Sequence, residues 1–493
     1  MVQRFTLVWT ALPQPSVVHA NWSSFTFATA GQQFDVGRHN DNGPYGFTDI
    51  AVAPGNPSVI AVARQFRNFG GANAGGVAIF DNGVQLSNTG PTFFDGSSFL
   101  AFASPSILYG NDFHFPESLT TMTVDGSGVT VTGKTPFIAG KAMILANGLL
   151  YGSTGQVINP TTGELIGTFI GTFNFGAAHA VDPANGRVFF VGFTSSGVQL
   201  RAYDINTFVP LGSVNIPGVN GTPSNLVRWG SNGLAFRTDS GRVFMIETAL
   251  VNASVPVASP TPTPSPTPSP SPPNIPTFVR RVNLPANNLV YSQATQALQA
   301  SVPSSAGANG NSITTIIPET GEVGPSVFVG SEPGRMAISS DGQSLWVRLN
   351  GAKAFRRFDI MTQTPGLQFA ANSVFPLDMD VVPGSPQSLV VINGSFDGGV
   401  VIFDDGIQRP EIGDLFPRLG AIEFGANPSI LYGVGNGSTN TVDLVKDLVD
   451  ASGVTTSTVT KNLFISSLTD QLKFLTFSNG LLYSGSGRIV DPE

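Results

Sequence analysis

The chain has 493 residues, of which 11% are charged, with 24 Lys and Arg against 32 Asp and Glu and a formal net charge of -8. That balance lacks the basic stripe nucleic acid requires, and no apolar run reaches the ~18 residues of a bilayer span, so neither a nucleic-acid partner nor a membrane span is expected. The absence of cysteine excludes disulfides, thiolate metal sites and cysteine nucleophiles, while 57 Gly, 37 Pro and 37 Phe mark a turn-rich, all-β composition.

Residues 1–35 read as an N-terminal tail. Arg4, the run "FTLVWTAL" and "VHA" have the outline of a weak signal segment ending at Ala20, set against a plain tail or strand remnant. Next comes "GRHNDNG", holding His39, the most site-like of four histidines (His19, His39, His114 and His179). Asn40, Asp41 and Asn42 offer the oxygen ligands calcium takes, but the spaced series with a distant Glu is missing, which favours a polar turn. No cofactor is therefore expected, with a divalent metal such as calcium as the alternative.

From 36 to 252, short β-rich runs alternate with Gly, Asn, Asp and Pro turns at the ~8–12-residue spacing of an all-β domain. They group into five units, beginning near Phe47, Ser97, Gly140, Phe173 and Thr222. "RQFRNFGGANAGG" (Arg64–Gly76) reads as a long connecting loop in which Arg64, Arg67 and Phe69, beside His39 and Asp41, are the candidate binding residues. His114, between phenylalanines, is expected to be half-buried, and His179 to lie on a strand near a channel.

Residues 253–277 form a linker. In "SPTPTPSPTPSPSPPNIP" proline stands at nearly every second position, which removes amide donors and fixes φ. An extended spacer on the order of 55 Å follows, at ~3.1 Å per residue.

From 278 to 493 the grammar resumes in five more units, beginning near Val282, Ser331, Pro376, Arg418 and Leu472. "PSSAGANGNS" (Pro303–Ser312) is a second candidate binding loop. The two halves are copies. "GGVAIFDNGVQ" (Gly75–Gln85) returns as "GGVVIFDDGIQ" (Gly398–Gln408), and "PSILYG" at Pro105–Gly110 returns unchanged at Pro428–Gly433. "NGLLYGSTGQVINP" (Asn147–Pro160) returns as "NGLLYSGSGRIVDP" (Asn479–Pro492). The copies are out of phase: the opening unit of the first matches the third unit of the second. The last unit ends at "VDPE", where the first copy runs on as "INPTTGELIGTF", so it should lack its outer strand. Open sheet edges are a liability, so either the two domains pack on each other or each remains an open arc.

The unit "EPGRMAISSDGQSLWVRLNGAKAFRRFDIMTQT" (Glu332–Thr364), with "VDPANGRVFF" and "LRAYDINTF" in the first copy, resembles the blades of the YVTN/NHL-like β-propeller superfamily. The resemblance implies two propeller-like arrays of about five blades, with incomplete rings as an alternative. It implies no single function, since the fold hosts lactonases, adhesion and scaffold proteins alike. Lactonase relatives hold a channel metal with Glu, Asp and Asn, and no segment here matches that motif. Inner-strand positions read as apolar or small ("MAIS", "IAVA", "AIEF"); Glu423 is the exception, and gapless alignment puts Leu100 in its place in the other copy.

The expected function is that of a non-catalytic, exported or cell-surface binding or scaffold protein, recognising a protein or carbohydrate ligand through its loops or channel. The alternatives are a lactonase-like hydrolase with a channel metal and a truncated product of a longer tandem protein.

Overall fold

The computed structural model describes residues 35–492 other than 40–42, 67–73, 93–95, 112–116, 141, 174–176, 232, 252–280, 372–375, 395–398, 414–417, 439–440, 466–474 and 485–488. The chain divides into two compact units, Met1–Thr267 and Pro268–Glu493, with the division inside the proline-rich segment.

Among the described residues each unit has five separate antiparallel sheets. In unit 1 they span 38–85, 99–136, 143–168, 178–216 and 223–247, with five, four, four, four and three strands. In unit 2 they span 288–328, 333–370, 376–408, 418–465 and 475–490, with four strands each except the last, which has three. Within every sheet the strand order is the chain order, so each sheet is a meander of hairpins.

Local chemistry explains the meander. Asn82-Gly83, Asn147-Gly148, Asp405-Gly406 and Asn479-Gly480 each place two consecutive residues at positive φ. Tight hairpins need that geometry, because it matches the right-handed twist of the strands. The recurrent Asp-x-x-Thr turn has an equally local cause. Asp204 Oδ1 accepts the Thr207 N–H at 2.8 Å, and Asp359 Oδ1 accepts the Thr362 N–H at 2.8 Å. Each carboxylate satisfies a turn amide that the ladder leaves free.

Sheets pack face to face with the next sheet in sequence. Leu100, Met122 and Ile79 join the first two sheets of unit 1, and Phe189, Leu200, Phe236 and Phe244 join its last two. In unit 2 the same serial packing runs through Ile313 and Leu345, then Trp346 and Phe403, then Ile402 and Leu431, then Tyr432 and Leu482. A fully buried Phe contributes about 1.5–3 kcal/mol, so these inter-sheet layers form the core of each unit. Tyr109 and Tyr432, the repeated tyrosines of "PSILYG", are both buried in it.

Candidate binding groove

The first strands of neighbouring sheets lie side by side without forming a continuous ladder. Their free amides are met by side chains. Asp378 Oδ2, on the Pro376–Val381 strand, accepts the Ile422 N–H at 3.0 Å, while its Oδ1 accepts the Met379 N–H at 2.8 Å. In unit 1, Asp49 Oδ2 accepts the Leu100 N–H at 2.8 Å and Oδ1 the Ile50 N–H at 2.9 Å. The two aspartates are equivalent by register, because Ile50 pairs with Val62 and Met379 with Val391 at matching points of the repeat. This clamp is therefore part of the fold in both copies. Asn288 Oδ1 plays the same part for the Met336 N–H at 3.2 Å.

Two further acids follow the same rule in unit 2 only. Asp380 Oδ2 accepts the Phe424 N–H at 3.4 Å, and Glu423 Oε1 accepts the Phe477 N–H at 3.3 Å. The register identifies their counterparts. Asp380 lies opposite Val390 where Ala51 lies opposite Ala61. Glu423 lies opposite Tyr432 where Ala101 lies opposite Tyr109. The counterpart of Glu423 is thus Ala101 and not Leu100. The second copy carries one more residue between strand and hairpin, "FGANPS" against "FASPS", which shifts a gapless alignment by one.

Together with Arg335 these groups line a cavity of ≈ 380 Å³ along the first strands of unit 2, with Asn288 at one end and Leu475 at the other. Arg335 Nη1 stands 2.9 Å from Asp378 Oδ1 and donates to the Leu377 carbonyl at 2.7 Å. Burial raises the Asp378 carboxyl, and the Arg335 charge draws it partly back. Asp380 has no such cation. Burial pushes it to about 7, against two backbone amides, with a smaller push from Asp378. Glu423 rises to about 8 through burial and then the charge of Asp380. Both shifts favour the protonated carboxyl near neutral pH. The two acids can donate as well as accept, and a cation entering the cavity would expel the proton.

The donor set does not fit a metal cage. Asp378 and Asp380 each have both oxygens on backbone amides, and among the described residues no group of three or more His, Asp or Glu is placed to hold a metal ion.

The residues nominated from sequence lie elsewhere. Arg64 is a correction: it belongs to the Val59–Phe66 strand, not to a loop, and is 5% exposed. Its guanidinium stacks 4.4 Å over the Tyr45 ring, and its Nε and Nη1 donate to the Gly76 carbonyl and Gln85 Oε1, both at 3.3 Å. His39 sits edge-on to Phe66, with ring centroids 5.2 Å apart. Arg67, Phe69 and Asp41 lie outside the described residues, as do His19 and His114. His179 lies on the strand Ala178–Asp182 and is buried. It stacks on Phe190 and donates from Nε2 to the Tyr151 carbonyl at 3.0 Å. The "PSSAGANGNS" loop is a 3₁₀ turn, Ser304–Asn309, tied down by Glu332 Oε1 accepting the Ser304 N–H. None of the described ones among these residues lines the groove. Sequence reading missed Asp378 and Asp380, whose signal was the alternating acid pair "DMD" on a first strand.

No protein-family model matches the chain, and no curated protein matches it. Among solved structures, the hydrazine synthase of Kuenenia stuttgartiensis is similar at 11% identity and a TM-score of 0.29, over 77% of this chain and 100% of that chain. A likeness at that level carries no argument about fold or activity.

Proposed function

We propose that the chain is a non-catalytic binding protein of the β-propeller type, related to the YVTN/NHL-like superfamily and exported or displayed at a cell surface. Its groove in unit 2 takes a cationic group, either a protonated amine or the lysine of a protein partner. One observation carries this reading. The clamp acid is present in both copies as Asp49 and Asp378, whereas the two proton-holding acids, Asp380 and Glu423, replace Ala51 and Ala101. A residue shared by both copies is explained by the fold they share. Two buried acids added to one copy cost stability there and call for a ligand that repays it.

Calorimetric titration of the full chain with cadaverine, a simple diamine, tests the reading. Saturable binding that strengthens several-fold from pH 6 to pH 9 is expected, since the acids ionise across that range. Binding should vanish in the Asp380→Asn/Glu423→Gln variant. Absence of amine binding at pH 9, or binding indifferent to the double substitution, would overturn it. Elemental analysis of the purified chain addresses the rival hydrolase reading: stoichiometric divalent metal that survives dialysis would favour that reading instead.

A further inference from the structure

The cavity of unit 2 carries charge of both signs. Arg335, on the Pro333–Ile338 strand, stands at the position that Asp378 holds in the next sheet. The register shows it: Pro333 faces Leu349 and Met336 faces Val347, as Pro376 faces Asn393 and Met379 faces Val391, with the same slip in between. From that position Asp378 accepts a neighbouring N–H, whereas Arg335 donates to the Leu377 carbonyl. A second guanidinium lies close by. Arg348 Nη1 donates to the Pro376 carbonyl at 2.8 Å, and burial, then the charge of Arg335, lowers its pKa. Asp378, 2.9 Å from Arg335, offsets one of these two charges, and the Arg335 side chain keeps 29% of its surface exposed. Asp380 lies two residues beyond Asp378 on the same strand, about 6.5–7 Å by the rise of a strand. Glu423 joins it from the next sheet, while Leu289, Met336, Met379 and Leu475 supply apolar wall.

We propose that the cavity takes a zwitterion, a small ω-amino acid whose ammonium meets Asp380 and Glu423 and whose carboxylate meets Arg335. This rests on the amine reading above and adds the second pole of the ligand. A diamine satisfies the acids but carries its other ammonium toward Arg335, a like-charge approach that costs affinity. An amino acid complements both ends, so Arg335 selects against the diamine as well as for the carboxylate. The volume of ≈ 380 Å³ suits a ligand of this size.

The test is calorimetric titration of the full chain at pH 9 with three amines of one chain length: 5-aminopentanoate, pentylamine and cadaverine. The amino acid should bind several-fold more tightly than either of the others, a comparison that needs no variant of the chain to fold. In Arg335→Gln the amino acid should lose that advantage while pentylamine affinity stays within about twofold, since the acids remain in place. Arg335→Lys, which keeps the charge, should retain part of the advantage. Equal affinity for 5-aminopentanoate and pentylamine, or a preference untouched by Arg335→Gln, would overturn the zwitterion while leaving the amine reading intact. Failure of all three ligands would overturn both.

Discussion

Asp378 holds the main-chain N–H of Ile422 at 3.0 Å across two sheets that share no ladder. Asp49 holds Leu100 in the same way in the other copy, without an arginine. Removing each should therefore cost different amounts. Asp49→Ala loses one inter-sheet tie, about 1 kcal/mol. Asp378→Ala also removes the ion pair with the partly buried Arg335, for about 2–4 kcal/mol in all. Urea unfolding of the full chain should show the larger loss in the transition of unit 2.

His179 should make unit 1 acid-sensitive. Burial holds its pKa at about 4, against 6.5 for an exposed imidazole, and its Nδ1 has no hydrogen-bond partner. The unfolded chain therefore takes up a proton that the folded chain refuses. Stability is complete above pH 6.5 and falls as the pH drops toward 4, by about 3 kcal/mol in all. His179→Phe, which keeps an aromatic ring against Phe190, should flatten that slope while lowering stability at pH 7 through the lost bond to Tyr151. An unchanged slope would assign the acid sensitivity to carboxylates.

Asp380 and Glu423 should act in the opposite direction. Both carboxyls are raised in the folded chain, so it binds protons that the unfolded chain releases. Their protonated forms are favoured at low pH, and stability declines as the pH rises from about 4 to 8. Asp380→Asn should therefore raise the unfolding free energy of unit 2, read from urea titration at pH 8, by on the order of 1–2 kcal/mol after allowance for partial exposure, and leave it nearly unchanged at pH 4. The same substitution should weaken amine binding. A gain in stability coupled to a loss of binding separates a site from a packing residue.

Arg64 should matter for folding alone. Arg64→Ala forfeits the stacking on Tyr45 and two hydrogen bonds, for about 2 kcal/mol. Arg64→Lys should restore little of it, since an ammonium lacks the planar fork. Cadaverine affinity should be unaffected by either change.

Much of the architecture was legible in turn chemistry. Asn-Gly, Asp-Gly and Asp-x-x-Thr mark hairpins by local energetics, and the five-plus-five grouping of strands follows from them. The groove was less legible because its acids face one another only after separate sheets have packed. In "PLDMDV", Asp378 and Asp380 read as the outward face of an ordinary half-buried strand. Glu423 stood out, but a one-residue slip between the copies gave it the wrong counterpart. Arg64 reads as the start of a loop because the stretch "RQFRNFGGANAGG" is long, Gly/Asn-rich and different in the other copy. It stays in the strand because the ring of Tyr45 covers its charge.

The repeat that hid this slip also makes the groove portable. Ala51 and Ala101 already sit at the right register positions in unit 1, beside the clamp of Asp49. Two substitutions, Ala51→Asp and Ala101→Glu, would write the second copy's acids into the first. If the groove binds a cation as proposed, its recognition is an edit laid over a scaffold that both copies share.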